Sequence, residues 1–334
     1  MRFARWKTAL GSCMLAGLLS VPMWGDTTAE SRHTAVPGTL NYVEGQASIG
    51  DQTLNSQAVG NADLENGEVL QTGRGKAEIL LTPGVYLRLG SDSAVKMISD
   101  SLTNTEVTLN KGEAMVEVDE LYHENNLRVS QPGADTKLVK TGLYDFDATN
   151  GTLRVFDGKA VVTADDHDIT VKKNHQLAFN SPKLKPLGFD KEQVTKNDDL
   201  YRWSSLRSEY LSEANVNAAQ MYYANQWYGP GWWGPGWYFD PWFGGFTFLP
   251  ASGFFYNPFG WGFYSPLMVW RAPVVIAGGV HHFDGGRPVA IGQGFHNHSV
   301  TAFHGGYGRM GSGFQGGAVH GGMSGFHGGG GVHR

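Results

Sequence analysis

The chain has 334 residues, a formal charge of −5, 47 glycines and one cysteine, Cys13. That length suggests two or three folding units. The single cysteine excludes an internal disulfide framework and a thiolate metal cluster. Net negative charge without a basic patch excludes long-range attraction of nucleic acid.

The first segment is a targeting signal. MRFARWK carries three positive charges, TALGSCMLAGLLSVPMW is apolar, and the chain then turns polar. This predicts a signal peptide over residues 1–29, with Thr27-Thr28-Ala29 supplying small residues at the cleavage site. Retention of the segment as an anchor is the alternative. Leu10-Gly11-Ser12-Cys13 has the look of a lipoprotein box but precedes most of the apolar run. Export places the protein in the periplasm, the cell envelope or the extracellular medium, without a transmembrane span once the signal is removed.

From Leu40 to Phe179 short alternating stretches recur, among them AEILL, VYLRLG, AVKMI, EVTLN, AMVEV, LRVFD and AVVTA. Each reads as a strand. Val85, Leu87 and Leu89 share one face and Tyr86 and Arg88 the other. Pro83-Gly84, Asn110-Lys111-Gly112, Asn150-Gly151 and Asp157-Gly158 supply the turns. No helical run interrupts the region, so it predicts an all-β domain that folds by itself. Trimming the chain before Asn225 is then expected to leave this domain intact.

Residues 180–197 read as a linker. An amphipathic helix follows over 198–223, with Asp198 or Asp199 as its cap and a stripe formed by Leu200, Trp203, Leu206, Tyr210, Ala214, Ala218 and Met221. Its apolar face docks either on the β domain or on a partner.

Residues 225–280 are nearly free of charge and crowded with rings. Gly-Pro-Gly-Trp occurs at 229–232 and again at 234–237. Proline fixes φ and the next glycine accepts the second corner of a type II turn. This predicts a coil of turns projecting rings, with neither helix nor regular strand, apart from one short strand in APVVIAGGV. Three uses compete: a ring-rich core over the β domain, a platform for an envelope partner, glycan or second copy, and contact with lipid headgroups. The platform residues are Trp232, Trp233, Trp237, Tyr238, Trp242 and Trp261.

Eight of the 12 histidines lie from His281 onward among glycines, and residues 281–334 read as a disordered tail. His281, His282, His296 and His298 are close pairs that can hold Zn, Ni or Cu, labile because nothing fixes their geometry.

The β region resembles the FecR domain family. The residues that carry the likeness are Val69-Leu70-Gln71-Thr72-Gly73, Lys76-Ala77-Glu78-Ile79, Val85-Tyr86-Leu87-Arg88-Leu89, Leu109 to Ala114, Leu153-Arg154-Val155, Asp157 to Val162 and Asn174-His175-Gln176-Leu177. The resemblance implies an antiparallel β-roll or sandwich over Tyr42 to Phe179, with Gly112 and Gly158 where the chain reverses between strands. It also implies a signal relay, from which this sequence departs: only seven residues precede the apolar run, leaving no cytoplasmic segment to hold a sigma factor. Lys140-Thr141-Gly142 also stands where the family has Leu-Gly-Thr.

No catalytic pattern emerges. Gly73-Arg74-Gly75-Lys76 lacks the Ser or Thr of a P-loop and reads as a turn. His123-Glu124 lacks a second ligand. Asp165-Asp166-His167-Asp168 reads as a solvated hairpin loop rather than a cation site. Lys111, Glu113, Glu117, Asp119 and Glu120 read as a charged outer face. The expected function is a non-catalytic envelope binding or scaffold protein that needs no cofactor. A metal-sequestering tail is the alternative, and an enzyme of unknown type a distant third.

Overall fold

Alternation becomes pairing along most of the first half of the chain. The computed structural model describes residues 34–165, 167–224 and 234–273, with the backbone of 281–284 and 287–290. In chain order the first strands are β1 (Leu40–Ile49), β2 (Gln52–Thr53), β3 (Val69–Leu80), β4 (Val85–Leu89), β5 (Ala94–Ser101), β6 (Asn104–Lys111) and β7 (Glu113–Val118). Then come β8 (Asn126–Gln131), β9 (Ala134–Leu138), β10 (Gly142–Asp147), β11 (Thr152–Asp157), β12 (Lys159–Ala164), β13 (His167–Lys172), β14 (His175–Ala178) and β15 (Leu187–Gly188).

These strands join in one sheet path, β13-β12-β9-β8-β6-β5-β3-β4-β7-β10-β11-β14-β15, with β1 laid along β3. Pairing is antiparallel except between β6 and β8. One face is apolar throughout: Leu40, Ile79, Leu87, Val107, Val129, Phe146, Val162 and Leu177, drawn from eight strands, share a single core. The path curls, because β13 returns to touch β11 and β14.

Two of the expected turns close hairpins as read, Pro83-Gly84 between β3 and β4 and Asn150-Gly151 between β10 and β11. Gly112 and Gly158 do something else. Neither β6 and β7 nor β11 and β12 are neighbours, so these glycines are corners that carry the chain from one stretch of the sheet to another. Both have positive φ, 78° and 96°. A Cβ would lie 2.1 Å from Ser93 Oγ at Gly112 and 2.2 Å from Tyr144 Oη at Gly158, so only glycine fits either corner. Gly73-Arg74-Gly75-Lys76, read as a turn, lies within β3, where β1 shifts register against it.

The expected linker contains a short helix, α1 (Lys191–Asn197), whose first turn is capped by Asp190 accepting from the Gln193 amide at 3.2 Å. The long helix α2 (Asp199–Ala224) follows, and Asp198 accepts from the Tyr201 amide at 2.8 Å, as its sequence suggests. Helix α2 docks on the sheet, but by a different face from the predicted stripe. Leu200, Ala214 and Ala218 are buried; Leu206, Tyr210 and Met221 are close to half exposed. The buried face instead includes Ser204, Arg207, Ser208, Ser212 and Asn215 beside Leu211 and Ala219. The sheet face that receives it carries carboxylates, so polar side chains complement it and an apolar stripe would not.

The ring-rich region is more regular than its composition suggests. Strands β16 (Gly236–Asp240) and β17 (Gly245–Leu249) form one hairpin, and β18 (Phe254–Tyr256) and β19 (Gly262–Tyr264) another. A 3-10 turn spans Pro266–Arg271. Phe246, Phe248 and Phe263 from these hairpins pack with Leu80 and Tyr86 of the sheet and Leu211 of α2. Within the span expected to be irregular, β20 (His281–Asp284) and β21 (Arg287–Ala290) pair as a two-stranded ladder. The signal-peptide segment, most of APVVIAGGV and residues 291–334 lie outside the described residues.

Candidate functional site

The chemistry concentrates on the outer face of β3, β4 and β7. Glu78, Arg88 and Glu117 follow the alternation of their strands, opposite the apolar core, and each is fully buried. Arg88 donates through Nε to Glu78 at 2.7 Å and through Nη1 to Glu117 at 2.5 Å. From α2, Arg207 Nη2 reaches the other oxygen of Glu78 at 3.0 Å, and its guanidinium lies 4.0 Å from the ring centre of Tyr42 and 5.0 Å from that of Phe243. Burial works to raise the Glu78 carboxyl, but Arg207 and Arg88 outweigh it and hold that carboxyl below its usual range. Asp119, just past β7, is pushed well upward, first by burial and then by Glu117 beside it. Two carboxylates, Glu78 and Glu117, thus face two guanidiniums, Arg88 and Arg207.

This corrects one reading. Glu117 and Asp119 belong to an interior, not to a solvated outer face.

Three asparagines extend the network into the hairpins. Asn41 Nδ2 donates to Glu78 at 2.9 Å and to the Phe246 carbonyl at 3.0 Å, while its Oδ1 accepts from the Phe246 amide at 2.7 Å. Asn257 Nδ2 donates to Glu117 at 2.7 Å and to Ser208, which itself donates to Glu117 at 2.8 Å. Asn215 Nδ2 donates to the carbonyls of Phe248 at 2.8 Å and Tyr264 at 3.2 Å, and its Oδ1 accepts from the Tyr264 amide at 2.8 Å. Asn41 and Asn215 each supply a planar donor and acceptor to backbone groups, while Asn257 Oδ1 accepts from the Phe259 and Trp261 amides.

A second polar locus lies where α1 meets α2. A groove of about 410 Å³ is lined by Glu113, Arg154, Gln193, Val194, Asn197, Asp198 and Asp199. Beside it Arg154 pairs with buried Asp145 at 2.6 Å. Burial pushes Asp145 up to about 7, since the one guanidinium facing it is partly exposed and Asp198 and Glu113 add negative charge. Glu113 is raised by burial, then by Asp147 and Asp198.

Of the platform residues read from the sequence, Trp232 and Trp233 lie outside the described residues. Trp237 is half-buried, edge-on to Tyr86 at 4.8 Å and to Phe248 at 5.9 Å. Tyr238 packs against Tyr222 and donates to the Gly234 carbonyl at 2.7 Å. Trp261 is half-buried, its amide held by Asn257 Oδ1 at 2.8 Å. Trp242 stands in solvent, 87% exposed. Most of these described rings therefore belong to a packed layer. For the metal residues, the backbone of His281 and His282 lies in β20, while His296 and His298 are outside the described residues. Among the described residues no group of three His, Cys, Asp or Glu side chains is placed to hold a metal ion. No described helix is long and apolar enough to cross a membrane.

Sequence reading missed Arg88–Glu117 and the asparagines. The signal for the first was present: a Tyr and an Arg in alternate positions of an otherwise apolar strand mark a face that must be covered. Nothing in the local sequence marks the long-range role of Asn41, Asn215 or Asn257, whose partners on other elements lie 33 to 205 residues away.

A family model described as FecR protein matches residues 68–161, which run from the start of β3 into β12. No curated protein matches the chain. Two crystal structures of a proposed anti-sigma factor from Parabacteroides distasonis, at 2.50 Å and 1.65 Å, are similar to parts of it. The first is 17% identical with a TM-score of 0.33, covering 37% of this chain and 61% of the other. The second is 16% identical with a TM-score of 0.34, covering 38% and 62%. The chain thus spans about three fifths of the length of those proteins.

Proposed function

We propose that this chain is an exported cell-envelope binding or scaffold protein, in which a FecR-like β-roll carries an aromatic layer that meets the partner. The observation that carries this reading is the buried network around Arg88. It spends the densest set of charges among the described residues on fixing α2 and the two hairpins to the sheet, and leaves them facing one another rather than a substrate. What the described surface offers outward is rings on a rigid support. A β-roll suits the curled strand path, and a periplasmic or extracellular location suits the amino-terminal signal. The partner class is an envelope protein or glycan, or a second copy of the chain.

The test is capture from an envelope extract on the immobilised full chain, with Trp242→Ala and Trp270→Ala variants beside it. Saturable recovery of a defined protein or glycan, weakened by at least one of these ring deletions, is the expected result. Capture that is unaffected by both deletions sinks the assignment of binding to the aromatic layer. Fractionation that leaves the full-length chain in the cytosol sinks the envelope assignment.

A further inference from the structure

Residues 234–273 contain two charged side chains, Asp240 and Arg271. Asp240 is buried, so Arg271 supplies the exposed charge of this layer. Large side chains stand around it in solvent: Trp270 is 66% exposed, Leu267 55%, Tyr256 53% and Phe254 36%. They are contiguous. The Arg271 guanidinium lies 5.2 Å from the Trp270 ring centre and 5.4 Å from that of Phe254, which meets Tyr256 at 6.0 Å.

These rings are held from behind. Trp270 Nε1 donates to the Leu267 carbonyl at 3.1 Å, and Phe254 stacks on buried Tyr264 at 5.6 Å and 16°. A ring fixed before binding loses little rotamer freedom on binding. An exposed apolar patch built this way marks a contact surface.

We propose that Trp270, Phe254, Tyr256 and Arg271 form a binding site for an acidic polysaccharide. This rests on the binding-module reading above and names its ligand class. The C–H face of a sugar ring is weakly positive and meets the negative face of an aromatic ring. A guanidinium matches a sugar carboxylate with two parallel hydrogen bonds. One cation lying beside flat rings is the complement of a uronate unit. A lipid surface fits less well: it gains nothing from fixed rings, and electrostatic anchoring takes a cluster of cations where this patch has one among the described residues.

The test is native affinity electrophoresis of the purified full chain in gels containing alginate, a polyuronate, or neutral dextran, with pelleting on phosphatidylglycerol vesicles alongside. The variants are Trp270→Ala, Arg271→Gln and, at an exposed side chain in the turn between β5 and β6, Leu102→Ala, each checked by thermal melting. Alginate is expected to retard the protein, and Trp270→Ala and Arg271→Gln to weaken that affinity by about tenfold or more. Leu102→Ala is expected to leave it unchanged. Equal retardation by dextran overturns the role of Arg271. Vesicle pelleting without alginate retardation overturns the glycan in favour of lipid, and unaltered retardation of a folded Trp270→Ala variant overturns the site. If Trp270→Ala loses nothing while the full chain still captures an envelope partner, this site falls and the binding-module reading stands.

Discussion

At the residue scale the decisive side chain is Arg88. Its two carboxylate partners are on adjacent strands and all three are removed from water. A buried pair is weak evidence for stability as a whole, but removing one partner strands the others as uncompensated charges. Arg88→Met is therefore expected to lower stability by about 3–5 kcal/mol in urea unfolding. An unchanged midpoint would show that water or a proton neutralises Glu78 and Glu117 readily. Asp145 sets a different dependence. Its carboxyl titrates near 7 in the folded chain and near 3.8 when unperturbed. The folded state keeps a proton that the unfolded state releases between those values. Its stabilising contribution is complete below pH 4 and is lost as pH rises to 7. Asp145→Asn is expected to flatten this fall, read as unfolding midpoints at pH 4.5 and 7.5; the same slope in both proteins would assign it elsewhere. Glu78 has the opposite sign: Arg207 and Arg88 hold its carboxyl below its usual range, and its contribution is lost as pH falls through that lowered value.

At the element scale the strands were legible and their surroundings were not. Alternation from Val85 to Leu89 correctly separates an apolar face from Tyr86 and Arg88, and Asn150-Gly151 correctly marks a hairpin. Periodicity misplaces the face of α2. It counts Leu206, Tyr210 and Met221 as inward because they are apolar, whereas the docking surface is set by Glu78 and Glu117, more than 80 residues earlier. Glycine and proline also hide β16 to β19, whose backbone is held by Asn41, Asn215 and Tyr86 as well as by strand partners. The candidate site was legible only as a richness in rings; which rings face solvent follows from packing across the chain. One expectation changes accordingly. Ending the chain before Asn225 removes Phe246, Phe248 and Phe263 from Tyr86 and Leu80, and Asn257 from Glu117. That fragment is expected to bind a hydrophobic dye and to unfold at lower urea than the full chain. A fragment with the full-chain midpoint would show that the layer rests on the sheet without stabilising it.

At the scale of the whole molecule, the sheet and the layer above it are joined by one exposed connection. Residues 180–190 run from β14 to α1, with Pro182, Lys183 and Lys185 exposed. Ion pairs, asparagine bridges and ring contacts join the two parts without passing through that connection. Trypsin is expected to cut after Lys183, and the two pieces are expected to migrate together on a native gel and separate in urea. Pieces that separate without denaturant would mean that the connection, not the interface, keeps the layer in place.

Asn215 has one more consequence. By accepting from one hairpin and donating to both, its amide does the work of a short piece of backbone inserted between β17 and β19. The spacing of the two hairpins is thus dictated by a helix that neither contains. Lengthening residues 250–252, which lie between them, is expected to disturb that spacing less than replacing a single carboxamide on α2.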